Sequence, residues 1–368
     1  MGRPRKGVLS SFGSAIRTYI DKYRPSALGW SAKTISVELS LEDSLSGQAQ
    51  PSSSSISRYL RHTKRTKRYR KGRDIAPSVF IKTTQAHEVW QLDAEGTKSV
   101  LGVGWVSPIN IKDIETKAFI MSYPCCVKTA NNLPKTMDYQ WALRLAFMEW
   151  GMPLCLQTDH GSVFFDNKST SSFPTTLYLW LLGLGIDVLF TPIGKPQKQG
   201  LVERSHQTFD GQLTPGVCLN TPEQLFDFSQ NRRQRLNLHI PSSTSQNRPP
   251  LVNRPDACIN TRHYEPQHEA QIFDTNRIQN YLESQTWFRL VAHNKIFSIG
   301  GQLYHLPSAK PNSEITIKYN KKLDGFDCFE ADGKILDFCP AKNLNFKELA
   351  GDLHAFNTWI KGRILLKH

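Results

Sequence analysis

Apolar residues recur at helical spacing in the N-terminal part of the chain. Ile16, Tyr19, Ile20 and Tyr23 fall at i, i+3, i+4 and i+7, which predicts an amphipathic first helix. A second helix is predicted directly after Ser31, because serine is a preferred N-cap residue. The segment PSSSSISRYLR predicts a third helix, with its apolar residues turned inward and its serines turned outward.

Residues 1–64 are therefore predicted to form a small all-α domain of three helices. The third helix carries short polar side chains on its outer face, which favours a helix-turn-helix domain that binds DNA. A three-helix bundle without a DNA-binding function has the same apolar pattern. The pattern alone does not separate these two interpretations.

The pattern changes to alternating strands and helices from about residue 86. Strand patterns occur in three successive segments, then once after each of two helical segments, and a last helix follows. The five strand segments are HEVWQLDAEG, GVGWVSPINI, KAFIMSYP, PLCLQTDHGS and IDVLFTPI. The second and third are expected to form a hairpin. Residues 86–230 thus predict an α/β domain, a mixed sheet with helices on both faces.

The C-terminal third is predicted to contain a linker, a β-domain and a helix. Residues 231–284 are rich in Pro, Asn and Arg, a composition typical of a linker. Short alternating strands separated by Gly, Asn and Asp turns predict a small β-barrel domain over residues 285–345. Apolar residues spaced among polar ones predict a C-terminal helix over residues 346–368.

The charge of the chain indicates the kind of partner that it binds. A formal net charge of +14 and a sequence pI near 9.4 indicate a polyanionic partner, most simply nucleic acid. No apolar run approaches the roughly 20 residues of a membrane helix, and the basic N-terminus lacks the apolar core of a signal peptide. Seven cysteines without a CxxC pair argue against a disulfide framework and a structural zinc site. We therefore expect a cytoplasmic, nucleoid-associated protein that does not bind a membrane.

Basic residues extend the expected DNA-binding surface on both sides of the three helices. Residues 61–73 hold eight Lys or Arg and no acid, and a basic linker is predicted over residues 65–85. Such a run is often a solvated tether, but beside a recognition helix it favours phosphate contacts. The opening GRPRK segment suits a minor groove. The predicted DNA-contacting residues of these parts are Arg3, Arg5, Ser54, Ser55, Ser57, Arg58, Arg61, Lys64, Arg65, Lys67, Arg68 and Arg70.

Three acids stand at the ends of predicted elements. Asp93 ends the first strand of the α/β domain, Asp159 ends the fourth, and Glu203 begins the last helix. If the first and fourth strands are neighbours, the aspartates meet and the glutamate completes a cluster. Clustered carboxylates need cations and suit Mg²⁺ or Mn²⁺, and two such ions can clamp the oxygens of a phosphoryl displacement. Each acid alone is more simply explained as a turn, cap or helix-dipole residue.

The local sequences around the three acids carry a resemblance to a known family. VWQLD, LQTDHGSVF and GKPQKQGLVERSHQTF resemble, in order and setting, the three catalytic segments of DDE transposases of bacterial insertion sequences. That group shares an RNase H-like core with retroviral integrases. The resemblance implies Asp93, Asp159 and Glu203 as a metal-binding triad, with Gly161 in the turn after the second aspartate. Lys195, Lys198 and Arg204 would then hold the DNA backbone over the site.

The resemblance covers most of the chain. GWSAKTISVEL and PSSSSISRYLR resemble the N-terminal helix-turn-helix of the family, and RLVAHNKIFSIGGQLYHLP resembles the small C-terminal β-domain of some members. Three departures stand beside it. The 43 residues between Asp159 and Glu203 are more than is common, and Gln199 stands where an Asn is usual. Glu95 lies on the same strand face as Asp93 and is a competing ligand, although Asp93 keeps the Trp-x-x-Asp spacing.

The sequence therefore predicts a DNA transposase that cleaves 3′ ends with a metal-activated water and joins them to target DNA. Its expected partners are double-stranded DNA at the element ends and target, further copies of itself, and possible accessory transposition proteins. A catalytically silent DNA-binding regulator derived from a transposase is one alternative, although binding alone needs no clustered acids. A plain nuclease with an RNase H-like core is another, although it leaves the helical domain and the basic run unexplained.

Overall fold

A computed structural model describes residues 13–66, 81–164, 166, 171–191, 202, 206, 208, 218–258 and 262–365. The chain divides into two compact units, each assembled from several stretches. Unit 1 comprises Met1–Ala86, Gln91–Leu133 and Gln197–Ile259, and unit 2 comprises His87–Trp90, Pro134–Pro196 and Asn260–His368. This division follows packing, whereas the boundaries drawn from the sequence follow changes of element type, and those boundaries remain predictions.

Three helices form the first part of unit 1: α1 (Ser14–Tyr23), α2 (Ala32–Ser40) and α3 (Ser53–His62). The predicted cap of the second helix is confirmed, because the Ser31 hydroxyl accepts the N–H of Thr34 at 3.1 Å. Their apolar faces share one core, whose buried members are Ile16, Ile20, Trp30, Ile35, Leu39, Leu45, Ile56 and Leu60.

The connection between α2 and α3 differs from a standard helix-turn-helix. A helix-turn-helix joins its helices through a turn of about three or four residues. Here residues 41–52 lie between them and include a 3-10 turn at Asp43–Leu45. The structure therefore shows a three-helix domain, and its identity as a helix-turn-helix remains a prediction.

A six-stranded mixed sheet follows the helical domain. Its strands are β1 (Val89–Ala94), β2 (Lys98–Val100), β3 (Gly104–Asp113), β4 (Phe119–Val127), β5 (Cys155–Thr158) and β6 (Asp187–Phe190). The β3–β4 pair is the predicted antiparallel hairpin, and β5 and β6 are parallel. The sequence pattern missed β2, a three-residue strand that pairs with the start of β3.

The strand order shows which strands of the sheet are neighbours. The hydrogen-bonded path runs β2-β3-β1-β5-β6, and β4 pairs with β3 along the length of that strand. Because β4 fills one edge of β3, β1 and the short β2 both lie along its other edge. The first and fourth predicted strands, β1 and β5, are therefore adjacent, and the pairing begins where Leu154 and Cys155 donate to the carbonyls of His87 and Glu88.

The long helix α6 (Pro222–Leu238) packs against β3 and β4 in unit 1. Its side of the contact includes the buried residues Leu225 and Leu236. Asn237 bonds to both backbone groups of Phe119 at 2.9 Å, accepting from the N–H and donating to the carbonyl. Helix α6 therefore covers apolar residues of β4, and its Asn237 side chain also forms hydrogen bonds with the backbone at the start of that strand.

The predicted linker over residues 231–284 contains regular helices in its described part. That range holds the end of α6 and three further helices, α7 (Pro250–Asn253), α8 (Glu269–Ile272) and α9 (Thr275–Glu283). Its polar residues are not solvated in the way the composition implied, because Arg232, Arg233 and Asn237 are all buried in α6. Hydrogen bonds and ion pairs compensate the cost of burying these side chains. A segment whose composition is typical of a linker therefore forms a packed helix.

Unit 2 surrounds β5 and β6 with α4 (Thr136–Trp150) and α5 (Thr176–Gly183). Phe147 of α4 lies between Trp90 and Trp180, at ring-centroid distances of 6.0 and 6.2 Å. A buried ion pair between Arg144 and Glu269 ties α4 to α8. Within the described residues, no helix combines the length and the apolar character that crossing a membrane requires.

The C-terminal strands do not close into the predicted barrel. Strands β7 (Thr286–Leu290), β10 (Glu314–Asn320), β11 (Gly325–Phe329) and β12 (Ile335–Pro340) form an open antiparallel sheet in the order β12-β11-β10-β7. A separate hairpin is formed by β8 (Ile296–Ile299) and β9 (Gln302–His305). The predicted C-terminal helix is two helices, α10 (Phe346–Ala350) and α11 (Leu353–Leu365), separated at Gly351, whose φ is 62°.

Candidate active site

The polar side chains of β1 hold a helical part of the chain against the sheet in unit 1. Gln91 and Asp93 lie on one face of the strand, as the two-residue period requires. The Gln91 Oε1 atom accepts the backbone N–H of Val202 at 3.2 Å, and Asp93 Oδ2 lies 3.1 Å from His206 Nε2. Val202 and His206 are helical and buried. Strand β1 is thus joined to residues on both sides of position 203, through Gln91 to Val202 and through Asp93 to His206.

His206 is held from its other ring nitrogen by a buried amide. Its Nδ1 atom lies 2.8 Å from Asn110 Nδ2, and Asn110 Oδ1 accepts the hydroxyl of Ser122 at 2.6 Å. Asn110 and Ser122 are opposite each other in the β3–β4 register and are fully buried. Asp93 therefore stands at the end of a chain of hydrogen bonds that begins in β4.

The competing acid Glu95 forms an ion pair with Lys98. Its Oε2 atom lies 2.6 Å from Lys98 Nζ and 3.8 Å from His206 Nδ1. Burial lowers the pKa of Lys98, although the hydrogen bond to Glu95 and its charge oppose this. Among the described residues, the basic side chain that contacts Asp93 is His206, and no Lys or Arg neutralises it. These contacts favour Asp93 over Glu95 as the acid available to a bound cation.

Asp159 lies at the carboxyl end of β5 in unit 2 and is exposed to solvent. Its Oδ1 atom accepts the N–H of Gly161 at 2.8 Å, which fixes the local turn. Gly161 begins the next turn, closed by the bond from the Phe164 N–H to its carbonyl at 2.9 Å. The ring of His160 stacks on Phe190 at the end of β6, with centroids 5.0 Å apart. The strand end and the turn therefore hold the Asp159 carboxylate at the surface.

Several predicted site residues lie outside the described residues. They are Glu203 with its basic neighbours Lys195, Lys198 and Arg204, and the basic residues Arg3, Arg5, Lys67, Arg68 and Arg70. Their assignment to the catalytic site or to DNA therefore remains a prediction. Near Glu203 the structure describes three helical residues, Val202, His206 and Thr208.

The predicted DNA-contacting residues of α3 differ in how freely they face solvent. Ser54, Arg58, Arg61 and Lys64 are exposed, whereas Ser55 and Ser57 are half-buried. Ser55 takes part in the N-terminal cap, since its N–H donates to the Ser52 hydroxyl at 3.2 Å. The exposed residues include two arginines on the outer side of this helix.

At the end of α3, one residue of the predicted basic surface, Arg65, forms contacts within the helical domain. Arg65 forms an ion pair with Asp21 of α1, and its backbone N–H bonds to the Leu60 carbonyl at 2.7 Å. Lys64 takes a left-handed conformation with φ of 59°, which ends the helix. Arg65 is thus half-buried in a contact with α1, whereas Lys64 projects from the helix end.

The two described acids have the chemistry that a magnesium or manganese ion requires. Both offer hard carboxylate oxygens, and the side chain of Asp93 is 21% exposed with one oxygen held by a hydrogen bond. Asp159 is exposed. Within the part of the chain that the structure describes, no group of three or more His, Cys, Asp or Glu side chains is arranged to hold a metal. A site for two ions therefore depends on Glu203 and remains a prediction.

Sequence reasoning missed the residues that support Asp93. The signal for Asn110 was present, because an amide at the centre of an apolar strand must find partners inside the protein. The signal for His206 was its position three residues after Glu203, on the same side of a predicted helix. Neither signal named the partner, because the contact joins residues 113 positions apart.

No family model matches the sequence. The structure is similar to the HTLV-2 integrase catalytic core domain in complex with magnesium. For the trimeric form the identity is 14% and the TM-score 0.34, covering 46% of this chain and 98% of that chain. For the dimeric form the identity is 16% and the TM-score 0.30, covering 42% and 88%.

A second similarity extends over more of the chain. It is to the simian T-cell lymphotropic virus intasome in complex with PP2A regulatory subunit B56 gamma. The identity is 12% and the TM-score 0.35, covering 79% of this chain and 93% of that chain. All three identities are below 25% and all three TM-scores below 0.5. The function proposed next therefore rests on the residues of this chain.

Proposed function

We propose that the protein is a metal-dependent DNA transposase, which cleaves the 3′ ends of a mobile element and joins them to target DNA. Both reactions are displacements at a phosphodiester, so one set of carboxylates can serve both. The observation that carries the proposal is the docking of β1 on the helical residues 202 and 206. It places the two residues that bracket Glu203 in contact with the strand that carries Asp93.

The sequence around Glu203 supports its assignment. GKPQKQGLVERSHQTF resembles the third catalytic segment of DDE transposases, and Val202 and His206 of that segment contact β1. His206 in turn contacts Asp93. The strand order supports the assignment of Asp159, because that residue directly follows β5, the neighbour of β1. We propose Asp93, Asp159 and Glu203 as the three metal-binding carboxylates.

Mg²⁺ or Mn²⁺ would be held by these three carboxylates. When bound, two such ions supply charge that stabilises both the attacking and the leaving oxygen of the displacement. The protein's own contribution is positioning: His206 orients Asp93, and the turn at Gly161 orients Asp159. Lys195, Lys198 and Arg204 are proposed to bind the phosphates of the DNA that enters the site.

The exposed surface of the helical domain supports a role in binding the element ends. Arg58 and Arg61 of α3 are exposed, and Arg side chains suit both base edges and phosphates. The proposed partners are double-stranded DNA, further copies of the chain and accessory transposition proteins. The net charge of +14 is consistent with such partners, because each phosphate contact requires a cation.

The test is magnesium-dependent cleavage of a labelled duplex that carries the DNA flanking the gene. Glu203→Gln, Asp93→Asn and Asp159→Asn each remove one charge at nearly constant size. We expect each to lower cleavage and strand transfer by at least about a thousandfold, because groups that act as a unit fail together. DNA binding, measured on the same proteins, is expected to stay within a few-fold of the unaltered chain.

Glu95→Gln is the matched control. It removes an equal charge from the same strand face, but from the acid that Lys98 already neutralises. Cleavage by this variant is expected to remain within about tenfold of the unaltered chain. Full cleavage by Glu203→Gln would refute the assigned triad, and tight binding with no cleavage by the unaltered chain would support a silent DNA-binding regulator.

A further inference from the structure

A row of buried polar side chains runs from β4 across β3 to the acid of β1. It passes through Ser122, Asn110 and His206 to Asp93, with distances of 2.6, 2.8 and 3.1 Å between successive hydrogen-bonding atoms. The first two residues are no more than 1% exposed and His206 is 9% exposed. Burying polar groups is costly unless each is hydrogen-bonded, and here each finds its partner in the next member of the row.

We propose that His206 is a positioning residue for Asp93, and that Asn110 determines which ring nitrogen of His206 carries the hydrogen. The role rests on the proposed function, because it is a role toward a proposed catalytic acid. In this arrangement Nδ1 of His206 accepts from the Asn110 amide, and Nε2–H donates to Asp93 Oδ2.

The donor and acceptor inventory of the row sets this direction. An Asn side-chain nitrogen only donates, so the Nδ1 atom that faces it accepts and the ring hydrogen is at Nε2. Turning the Asn110 amide over would move that hydrogen to Nδ1. A lone pair on Nε2 would then face a carboxylate oxygen 3.1 Å away, which is repulsive. The 3.1 Å contact therefore requires a hydrogen on Nε2.

Glu95 does not compete for the ring hydrogen. Its Oε2 atom is 3.8 Å from Nδ1, beyond hydrogen-bond distance, and 2.6 Å from Lys98 Nζ. The Nδ1 atom therefore has the Asn110 amide as its hydrogen-bond partner, and Nε2–H has Asp93.

Holding Oδ2 has a consequence for the other oxygen of Asp93. One hydrogen bond fixes the rotation of the carboxylate about its Cβ–Cγ bond, so that Oδ1 is presented in a constant direction. Such partners of a metal-binding side chain change metal affinity or activity by about tenfold to hundredfold when removed. This gives the size of effect to expect from breaking the row.

The first experiment needs no variant other than one for assignment. NMR correlations between ring nitrogens and carbon-bound ring hydrogens distinguish the Nε2–H tautomer, the Nδ1–H tautomer and the imidazolium. They are recorded on the full chain, labelled with ¹⁵N, at neutral pH and without divalent metal. His206→Gln identifies the signals by their loss. The Nε2–H tautomer is expected, and either of the other two states overturns the proposal.

The second experiment breaks the row at its middle and measures Mn²⁺ binding to the full chain by electron paramagnetic resonance. Asn110→Leu removes the donor at nearly constant volume. We expect the tautomer signals of His206 to change and the Mn²⁺ affinity to fall by about tenfold to hundredfold. Asp93→Asn gives the background from other carboxylates. Altered tautomer signals with unchanged Mn²⁺ affinity would overturn the positioning role.

Asn237→Leu is the matched control for loss of a buried amide. Asn237 is 1% exposed and also makes two hydrogen bonds, but to the backbone of Phe119. Its loss is expected to lower stability while leaving the His206 signals and the Mn²⁺ affinity unchanged. An equal effect of both variants would mean that general loosening, not positioning, explains the result.

Two substitutions of His206 complete the test. His206→Gln keeps an N–H donor near the place of Nε2 and is expected to retain Mn²⁺ affinity within about threefold. His206→Phe keeps a ring of similar shape without a donor and is expected to lose about tenfold to hundredfold. Equal affinities of the two variants would contradict the proposal. Failure of the proposed function is distinguishable, because it shows as cleavage by Glu203→Gln and leaves the tautomer of His206 unaffected.

Discussion

Replacing Glu269 by Gln tests how strongly a buried ion pair stabilises unit 2. The carboxylate is fully buried and accepts both Nε and Nη2 of Arg144 at 2.7 Å. It also accepts the indole N–H of Trp180 at 2.9 Å and the hydroxyl of Tyr264. Arg144 Nη2 donates further to the Ala350 carbonyl at 2.7 Å. One charge pair thus joins α4, α5, α8 and α10.

The expected magnitude follows from what the substitution leaves behind. Burial alone would lower the pKa of Arg144, but the hydrogen bonds and charge of Glu269 raise it overall, so the guanidinium stays charged. Glu269→Gln leaves that cation buried without its partner, which costs about 3–5 kcal/mol. A domain's total stability is about 5–15 kcal/mol, so the loss is a large share.

The assay is urea denaturation of the full chain, followed by tryptophan fluorescence and circular dichroism. An unchanged slope with denaturant shows that the variants differ in stability and not in the surface exposed. Arg144→Met alone should lower the free energy of unfolding by a similar amount, because it leaves the Glu269 carboxylate buried without its cation. The double variant should be more stable than the sum of the two losses predicts, by at least about 1.5 kcal/mol.

An exposed pair provides the matched control. Arg277 and Asp187 lie 2.9 Å apart, but their side chains are 41% and 62% exposed. Asp187→Asn should cost less than about 1 kcal/mol, since solvent screens such pairs. Strictly additive losses at Arg144 and Glu269, or a loss at Asp187 as large as at Glu269, would refute the reasoning from burial.

Two further predictions concern the DNA surface and the second acid. Arg58→Ala should weaken binding to the flanking DNA by about tenfold or more while changing non-specific binding little, whereas Arg17→Ala, an exposed arginine of α1, should affect neither; equal losses in competition binding assays would contradict a specific role. Gly161→Ala should lower cleavage by about tenfold or more, because its Cβ would lie 2.9 Å from Asp159 Oδ1. Gly362→Ala, whose Cβ meets no atom within 4 Å, should retain full cleavage, and retained cleavage by both variants would rule out the turn as a support for Asp159.

Local patterns predicted the parts of the fold that local interactions decide. The cap at Ser31 and the apolar faces of α1 and α3 follow from helix period and N-cap preference, and the structure confirms them. The adjacency of β1 and β5 was a condition for the aspartates to meet and was not itself predicted, and the strand order meets that condition. The predictions that succeeded depended on residues close in sequence.

Long-range pairing explains where the predictions from sequence failed. The segment around Arg232 has the composition of a linker, although it forms a packed helix. Arg232 Nη1 donates to Glu38 Oε1 at 2.9 Å, and these two residues are 194 positions apart in the sequence, so local composition did not indicate the contact. Barrel closure depends on which strand edges meet, and β7 and β12 both remain edges of an open sheet. His206 was missed for the same reason, since its partners Asn110 and Asp93 are distant in sequence.

The register of the β3–β4 hairpin limits how its length can vary among related chains. Ser122 faces Asn110 because the strands pair with that residue opposite. Side chains alternate between the faces of a strand, so a shift of one residue turns every side chain to the other face. A single-residue insertion or deletion in residues 114–118 would therefore bring Met121 or Tyr123 opposite Asn110. The length of that turn is therefore tied to the orientation of Asp93, an acid two strands away from β4.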